Sequence, residues 1–323
     1  MLQESAENSK NSTMSRLQGF KMVCEVIENY DLKKHSTFKI GGCAKRAFFP
    51  ETEEEMVQLL TDLKEPVVLG GCSNVLVSDN GIDGDVIITT KMKHFETENN
   101  RIKARCGVKV PMLAREAEQK GLSGFEFMIG FPGSVGGAVY MNASAHSQSI
   151  SDTFKKCCVF DTDNKKLLEL NKDEMQFSYR KSVLQTKNYV LLNAEFELIP
   201  QAKEEISAIM QRNLEFRKGK QPSLTMPNAG SIFRNPPNDS AGRLLEKAGV
   251  KGLKQGGAQV WLGHANFIVN LENAAASDVL KLMNKMYNEV KNKYTIELVP
   301  EVKFVGTKTK EEEELWNTLL NQK

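Results

Sequence analysis

Gly130-Phe131-Pro132-Gly133-Ser134-Val135-Gly136-Gly137-Ala138-Val139-Tyr140-Met141-Asn142 is the stretch on which the fold turns. Its glycines, proline and serine make a poor helix and a poor strand. They suit a surface against which something flat and phosphorylated can lie. Glycine accepts positive φ and lets a ligand approach without meeting a Cβ, and successive amides in such turns can form an anion-binding nest. An ordinary pair of tight turns has the same composition.

A second glycine-rich turn stands earlier, at Gly70-Gly71-Cys72-Ser73-Asn74. It joins two short apolar runs that read as strands, Val67 to Leu69 and Val75 to Val77. Neither turn fits the P-loop pattern, and neither fits Gly-x-Gly-x-x-Gly between a strand and a helix. A P-loop ATPase and a classical Rossmann dehydrogenase are therefore disfavoured. Two separate turns of this kind suit a ligand long enough to touch both, such as a dinucleotide.

The rest of the chain is that of a soluble globular protein. Its 323 residues are 40% apolar and 26% charged, with a formal charge of +2. Near-neutral charge leaves no nucleic-acid footprint, and no apolar run approaches the ~20 residues of a membrane span. Residues 1–20 are polar and lack the apolar core of a secretion signal, so they read as a mobile extension. The six cysteines form no Cys-x-x-Cys pair and do not cluster with the four histidines. That argues against a metal site and for reduced thiols in the cytoplasm.

Thr52 and Glu55 form a capping box before Met56, Leu59, Leu60 and Leu63 at helical spacing. Val86 to Ile88 is a further strand, and Val110 to Lys120 a helix stopped at Gly121. Strands follow at Cys157–Phe160, Leu167–Leu170 and Val190–Leu198. Beyond them come an amphipathic helix over 203–218 and a short one over Ala241–Ala248. A strand at Phe267–Val269, a helix whose core face carries Val279, Leu282, Met283, Met286, Tyr287 and Val290, and a strand over Leu298–Val305 complete the order. The boundary between domains falls near residue 200. The tail, 307–323, reads as a docking helix or as a solvated segment.

Four further constellations carry polar chemistry. Phe177-Ser178-Tyr179-Arg180-Lys181-Ser182 sets a cation beside a ring near a strand. Lys220-Gln221-Pro222 precedes Asn228-Ala229-Gly230-Ser231-Ile232-Phe233-Arg234-Asn235-Pro236, which reads as a rigid loop exposing Ser231, Arg234 and Asn235. No Gly-x-Ser-x-Gly elbow surrounds Ser231, so a hydrolase triad is not indicated. Pro300-Glu301-Val302-Lys303-Phe304 puts a carboxylate at the start of a strand. Taken singly, each has a bland reading as turn, cap or solvated charge.

Together and in order, these segments closely resemble the UDP-N-acetylenolpyruvoylglucosamine reductases. Thr37-Phe38-Lys39-Ile40-Gly41-Gly42 and His264-Ala265-Asn266-Phe267 belong to the same match, which runs from about Asp31 to Gly306. The short interval after Tyr179 resembles the compact type II subclass. The resemblance implies an α+β protein with a vanillyl-alcohol-oxidase-like (PCMH-type) FAD-binding fold in two α/β subdomains, about 21–90 and 91–200. A C-terminal α+β substrate domain, 201–306, would follow. It implies FAD as cofactor and NADPH as reductant. Hydride would pass from reduced FAD to C3 of the enolpyruvyl group of UDP-N-acetylglucosamine enolpyruvate, giving UDP-N-acetylmuramate for peptidoglycan.

By the same correspondence Arg180 and Glu301 sit at the substrate carboxylate, with Glu301 ionised and orienting its partners, and Ser231 gives the proton to C2. Arginine suits the task because it keeps its charge and grips a carboxylate bidentately. Tyr179, Lys220 and Asn235 would hold the UDP-sugar. Gly70, Gly71, Cys72, Ser73, Asn74, Gly130, Ser134, Gly136, Gly137 and Asn142 would hold FAD, mainly through backbone amides. The chain departs from the family in two places. Ser144-Ala145-His146-Ser147 stands where Gly-Ala-Tyr-Gly is usual, and Trp261-Leu262-Gly263 replaces a short polar stretch. A sugar or lactone oxidase of the same fold would share the glycine blocks but lack the Arg180, Ser231 and Glu301 set. A flavin-binding protein without turnover would find its only support in the altered 144–147 turn.

Overall fold

The computed structural model describes residues 24–320; the extension expected over 1–20 lies outside them. The first sheet has four strands, in the order Glu25–Asp31, Cys43–Phe49, Ile82–Ile88, Val67–Leu69. Its first pair is antiparallel and the other pairings are parallel. The crossover from the second strand carries α1 (Glu53–Asp62), opened by the expected capping box. The Glu55 N–H donates to Thr52 Oγ1 at 3.2 Å, and the Thr52 N–H to Glu55 Oε2 at 3.3 Å. Met56, Leu59 and Leu60 turn inward.

The second sheet is antiparallel throughout, in the order Lys166–Asn171, Phe154–Asp161, Tyr189–Glu197, Arg101–Arg105, Phe95–Glu98. Against it lie α2 (Val110–Gln119), α3 (Val135–Tyr140), α4 (Ile150–Thr153) and α5 (Lys203–Lys220). The thirteen-residue glycine stretch is thus not two turns, since its second half is helix α3. The glycines there serve close approach. A Cβ on Gly136 would lie 3.2 Å from both the Cβ and the carbonyl oxygen of Cys106. Packing of Val135, Ala138 and Val139 into the core outweighs the low helix propensity of glycine.

Helix α5 was expected to open the C-terminal domain. Its Ile206 and Met210 are instead buried in the core of the second sheet. Phe216, near its C-terminal end, is 51% exposed.

The third sheet is antiparallel, in the order Asn228–Ser231, Phe267–Asn270, Ala258–Val260, Lys254–Gln255. Ser231 therefore ends a strand rather than standing in a loop. Helices α6 (Ala241–Ala248), α7 (Ala276–Tyr294) and α8 (Lys310–Leu320) complete this layer. On α7, Val279, Leu282, Met283, Met286 and Val290 are fully buried, each contributing about 1.5–3 kcal/mol. The core also takes in Phe38, Ile40 and Leu76 from the first hundred residues and Trp316 and Leu319 of α8. The tail is a docked helix.

The strand expected over Leu298–Val305 is only Lys303–Val305. Pro300 has no N–H to give a ladder, and the chain there makes a single bridge, Phe233 to Pro300. Lys303–Val305 pairs in parallel with Val75–Val77, next to the Gly70–Asn74 turn. Helix α8 reinforces this junction. Glu312 is fully buried. It accepts from Ser78 Oγ at 2.7 Å, from the Asp79 N–H at 2.9 Å and from the Thr309 N–H at 2.7 Å. The Asp79 carboxylate in turn accepts from the Ala276 N–H at 2.7 Å, at the start of α7.

Candidate active site

Gly70–Asn74 is fixed from three sides. His35 Nε2 donates to the Gly70 carbonyl at 2.6 Å. Thr37 Oγ1 reaches the carbonyls of Cys72 at 3.1 Å and Asn228 at 2.8 Å. Ser73 Oγ donates to the Pro132 carbonyl at 2.9 Å, joining the two glycine turns. Cys72 adopts φ +47° with its side chain buried, and burial pushes its thiol up to about 12. The thiol is inert packing.

The amides of α3 were expected to carry much of the cofactor. Two of them are already engaged, the Val135 N–H with Val108 O at 2.9 Å and the Gly136 N–H with Cys106 O at 2.8 Å. A side chain is available beside them. Ser134 Oγ is buried without a partner among the described residues, and a Cβ on Gly70 would collide with it. At Gly71 and Gly137 a Cβ would meet its nearest neighbour only at 4.0 and 3.8 Å. An orphaned hydroxyl among glycines that leave room is a cradle that fits the phosphates of FAD.

Asn142 works differently. Its Oδ1 accepts from the Ser151 N–H and its Nδ2 donates to the Ser178 carbonyl, both at 3.1 Å. Both ends of its amide hold protein: Oδ1 holds the start of α4 and Nδ2 the turn carrying Arg180. Gly130 packs on Arg217, whose Cδ would lie 3.2 Å from a Cβ there.

The 177–182 segment is a tight turn. Ser178 and Lys181 exchange two backbone hydrogen bonds of 3.1 Å, and Arg180 sits at φ +56°. Gln185 Nε2 braces it by donating to the carbonyls of Arg180 at 3.0 Å and Tyr140 at 2.7 Å. The guanidinium donates through Nε to Glu301 Oε1 at 2.6 Å and through Nη1 to Ser144 Oγ at 2.7 Å. A longer contact of 3.3 Å joins Nη1 to the Ser144 carbonyl. Nη2 has no partner among the described residues. The bidentate edge expected for substrate is therefore already half used, because Nε belongs to Glu301.

Ser144 is the first of the atypical residues after Ala143. The hairpin it opens is still made, with His146 at φ +52° and Ser147 at φ +62°, the positive values that a two-residue hairpin turn demands. The sequence reading registered missing glycines there and did not foresee a hydroxyl reaching Arg180.

Glu301 is tied to Ser231 through the backbone. The Glu301 N–H donates to Ile232 O at 2.8 Å, and the Arg234 N–H to Val299 O at 2.9 Å. Asn266 locks the same strand end, accepting from the Phe233 N–H at 2.9 Å and donating to Phe233 O at 2.8 Å. Beside Ser231, Gly230 is at φ +76°, and a Cβ there would lie 3.8 Å from Ser73 O. Ser231 thus stands between the Gly70–Asn74 turn and Glu301. Burial raises the Glu301 carboxyl above its ordinary value, against the pull of Arg180, Arg234 and Lys303. Burial, aided by Arg234, lowers the Lys303 ammonium.

The substrate candidates come together less completely. Tyr179 is half exposed, and its hydroxyl accepts from the Asn235 N–H at 3.4 Å. Asn235 Oδ1 accepts from the Ala241 N–H at 3.0 Å and so caps α6. Lys220 ends α5 with its ammonium 4.4 Å from the centre of the Phe216 ring. The ring of His146 meets Phe216 edge-on at 5.3 Å. No hydrogen bond or ion pair joins Lys220 to Arg180, Ser231 or Asn235 among the described residues.

Residues 221–305 match the family model described as the C-terminal domain of UDP-N-acetylenolpyruvoylglucosamine reductase. Residues 44–166 match an FAD-binding-domain model. A reductase of that name from Caldicellulosiruptor bescii is 44% identical over 87% of this chain and 91% of its own length. Its namesake from Bacillus subtilis is 42% identical over 88% of this chain and 95% of its own. The crystal structure of the Thermus caldophilus enzyme superposes with a TM-score of 0.76 at 34% identity. That alignment covers 88% of this chain and 99% of the other.

Proposed function

Because the chain belongs to the UDP-N-acetylenolpyruvoylglucosamine reductase family, we propose that Arg180, Ser231 and Glu301 form its catalytic set. The enzyme is an FAD-dependent oxidoreductase that reduces UDP-N-acetylglucosamine enolpyruvate to UDP-N-acetylmuramate in peptidoglycan synthesis. FAD, when bound, passes the two electrons of NADPH to the enolpyruvyl double bond. The observation that supports the catalytic set is convergence. Arg180 meets the Glu301 side chain at 2.6 Å, while the Glu301 backbone is bonded to the residue after Ser231.

The enolpyruvyl group is an electron-rich enol ether and resists a hydride. It accepts one only if negative charge can gather on its carboxylate. Arg180 offers a fixed cation there, and preorganised donors of this kind contribute about 3–4 kcal/mol each. Glu301 holds Nε and Ser144 holds Nη1, so the guanidinium is aimed before substrate arrives. Ser231 gives its hydroxyl proton to C2, the basic carbon of the enolate-like intermediate. Glu301 serves here to orient Arg180. Lys220 supplies a counter-charge to the diphosphate, and Tyr179 and Asn235 line the sugar pocket. Ser134 and the Gly70–Asn74 turn hold FAD. In this reading the FAD-binding part extends to the end of α5, the substrate part begins at 221, and the enzyme works in the cytoplasm.

The test is an anaerobic stopped-flow comparison of wild type and Ser231→Ala. NADPH is expected to bleach both at similar rates. Return of the yellow colour on adding the enolpyruvyl nucleotide is expected to slow by about 10²–10⁴-fold in the variant. Equal return rates would remove Ser231 from the mechanism. Rapid oxygen consumption with a plain sugar would replace the reductase by an oxidase.

A further inference from the structure

Arg234 is a charged residue near Glu301 that the catalytic set leaves unused. Phe233 lies opposite Pro300, flanked by the Arg234 N–H to Val299 O and Glu301 N–H to Ile232 O bonds. In an antiparallel bridge of this form the residues on either side of the pair share one face. Arg234 and Glu301 are therefore diagonal neighbours on the face that Arg180 also reaches. Lys303 adds its charge to the same group. Three cations thus surround one carboxylate, an excess of two positive charges when Glu301 is ionised.

Arg234 Nε is buried and has no acceptor among the described residues. A buried donor left unmade costs about 1–3 kcal/mol, and native proteins rarely leave one without a partner in the working state. Arg180 meanwhile has only Nη2 to spare, so it cannot close both bonds of a fork on a substrate carboxylate.

We infer that Arg234 is a second carboxylate-binding residue, its Nε–H taking one oxygen of the enolpyruvyl carboxylate while Arg180 Nη2 takes the other. This rests on the reading that the Arg180–Glu301 site receives that carboxylate. Two guanidiniums on one carboxylate spread the growing charge over two cations that reach it from separate elements, a turn of the FAD-binding part and a strand end of the substrate part.

The test uses the oxidised holoenzyme and two ligands that differ in the 3-O-lactyl group, which holds the carboxylate. UDP-N-acetylmuramate carries it and UDP-N-acetylglucosamine lacks it. Both are titrated against the flavin absorbance of wild type, Arg234→Gln, Arg234→Lys and Arg180→Met. Arg234→Gln is expected to weaken UDP-N-acetylmuramate on the order of 10- to 100-fold and to change UDP-N-acetylglucosamine by less than about twofold. Equal weakening of both ligands would move Arg234 to the nucleotide or to a structural role and overturn the inference; so would no weakening of either. If Arg180→Met leaves the preference for the carboxylate intact, the underlying reading of the site fails and the inference with it. Should Arg234→Gln not retain FAD, Arg234→Lys decides. It keeps the charge but loses the Nε–H, and a wild-type preference there would overturn the inference.

Discussion

Replacing Arg180 with lysine separates charge from geometry. Both residues are cations, and both meet the same backbone demand at φ +56°, so the strain of the turn cancels between them. The guanidinium holds Glu301 at 2.6 Å and Ser144 Oγ at 2.7 Å with two different nitrogens, and keeps a third for substrate. A lysine ammonium is one nitrogen on a narrower reach. It can stay with Glu301, whose side chain is only 12% exposed, or turn toward the substrate. At least one charge-assisted bond to the developing charge is lost, and a second when Ser144 is abandoned. At about 1.5–3 kcal/mol each, one to two such bonds slow the reaction by about 10- to 10⁴-fold. Single-turnover stopped-flow reads this directly. Flavin reoxidation by the enolpyruvyl nucleotide is expected to fall by that factor, with bleaching by NADPH far less affected. Reoxidation within about threefold of wild type would mean that a positive charge alone suffices, and the argument from donor geometry would collapse.

Ser144→Gly restores the residue usual in the family and removes the hydroxyl from Nη1; reoxidation is expected to slow by about 5- to 30-fold, and an unchanged rate in the same assay would make Ser144 incidental. Burial lowers His35 below the usual histidine range. A histidine of this kind contributes stability above its unfolded value of about 6.5 that is lost as pH falls through the folded value. Urea unfolding at pH 7.5 and 5.5 should therefore show a smaller loss in His35→Gln than in wild type. Some loss should persist, because His264 is also lowered by burial; an identical loss in variant and wild type would contradict the assignment. Glu312→Ala leaves the Asp79 and Thr309 amides without their carboxylate acceptor, with only the Thr307 carbonyl remaining for the Ser78 hydroxyl, and is expected to destabilise the protein by about 2–5 kcal/mol. A denaturant midpoint within error of wild type would show that the α8 junction bears no load.

Much of this was legible in the sequence because it rests on local rules. The Thr52–Glu55 capping box, the α7 core face and the Gly121 stop after α2 follow from short spacings, and the structure reproduces them. The glycine stretch misled for a physical reason. Propensity describes an isolated segment, whereas α3 is held by a close approach to Cys106 that only the fold provides. Ser231 looked like a loop residue because the strand it ends is short and sits between prolines. The pairing of Ser144 with Arg180 joins residues 36 apart, and that of Arg180 with Glu301 joins residues 121 apart. No spacing rule reaches so far. The resemblance brought Arg180 and Glu301 into view together, but it was silent on Ser144, where this chain differs from the pattern. Arg234 was noticed as a polar loop residue, and only its buried, unpartnered Nε sets it apart.

The parallel pairing of Val75–Val77 with Lys303–Val305 has a consequence for the order in which the molecule can be made. The Lys303 N–H donates to Asn74 O at 3.0 Å, and Asn74 Nδ2 donates to Glu301 O at 3.2 Å. The Gly70–Asn74 turn is therefore braced by residues synthesised more than 220 positions later. Closing so long a loop is slow, and a growing chain cannot attempt it until residues 301–303 have left the ribosome. At that step the Gly70–Asn74 turn, already held by His35, Thr37 and the Pro132 carbonyl, receives its last brace, and Glu301 reaches Arg180. A chain stopped short of residue 300 lacks that brace and that ion pair together.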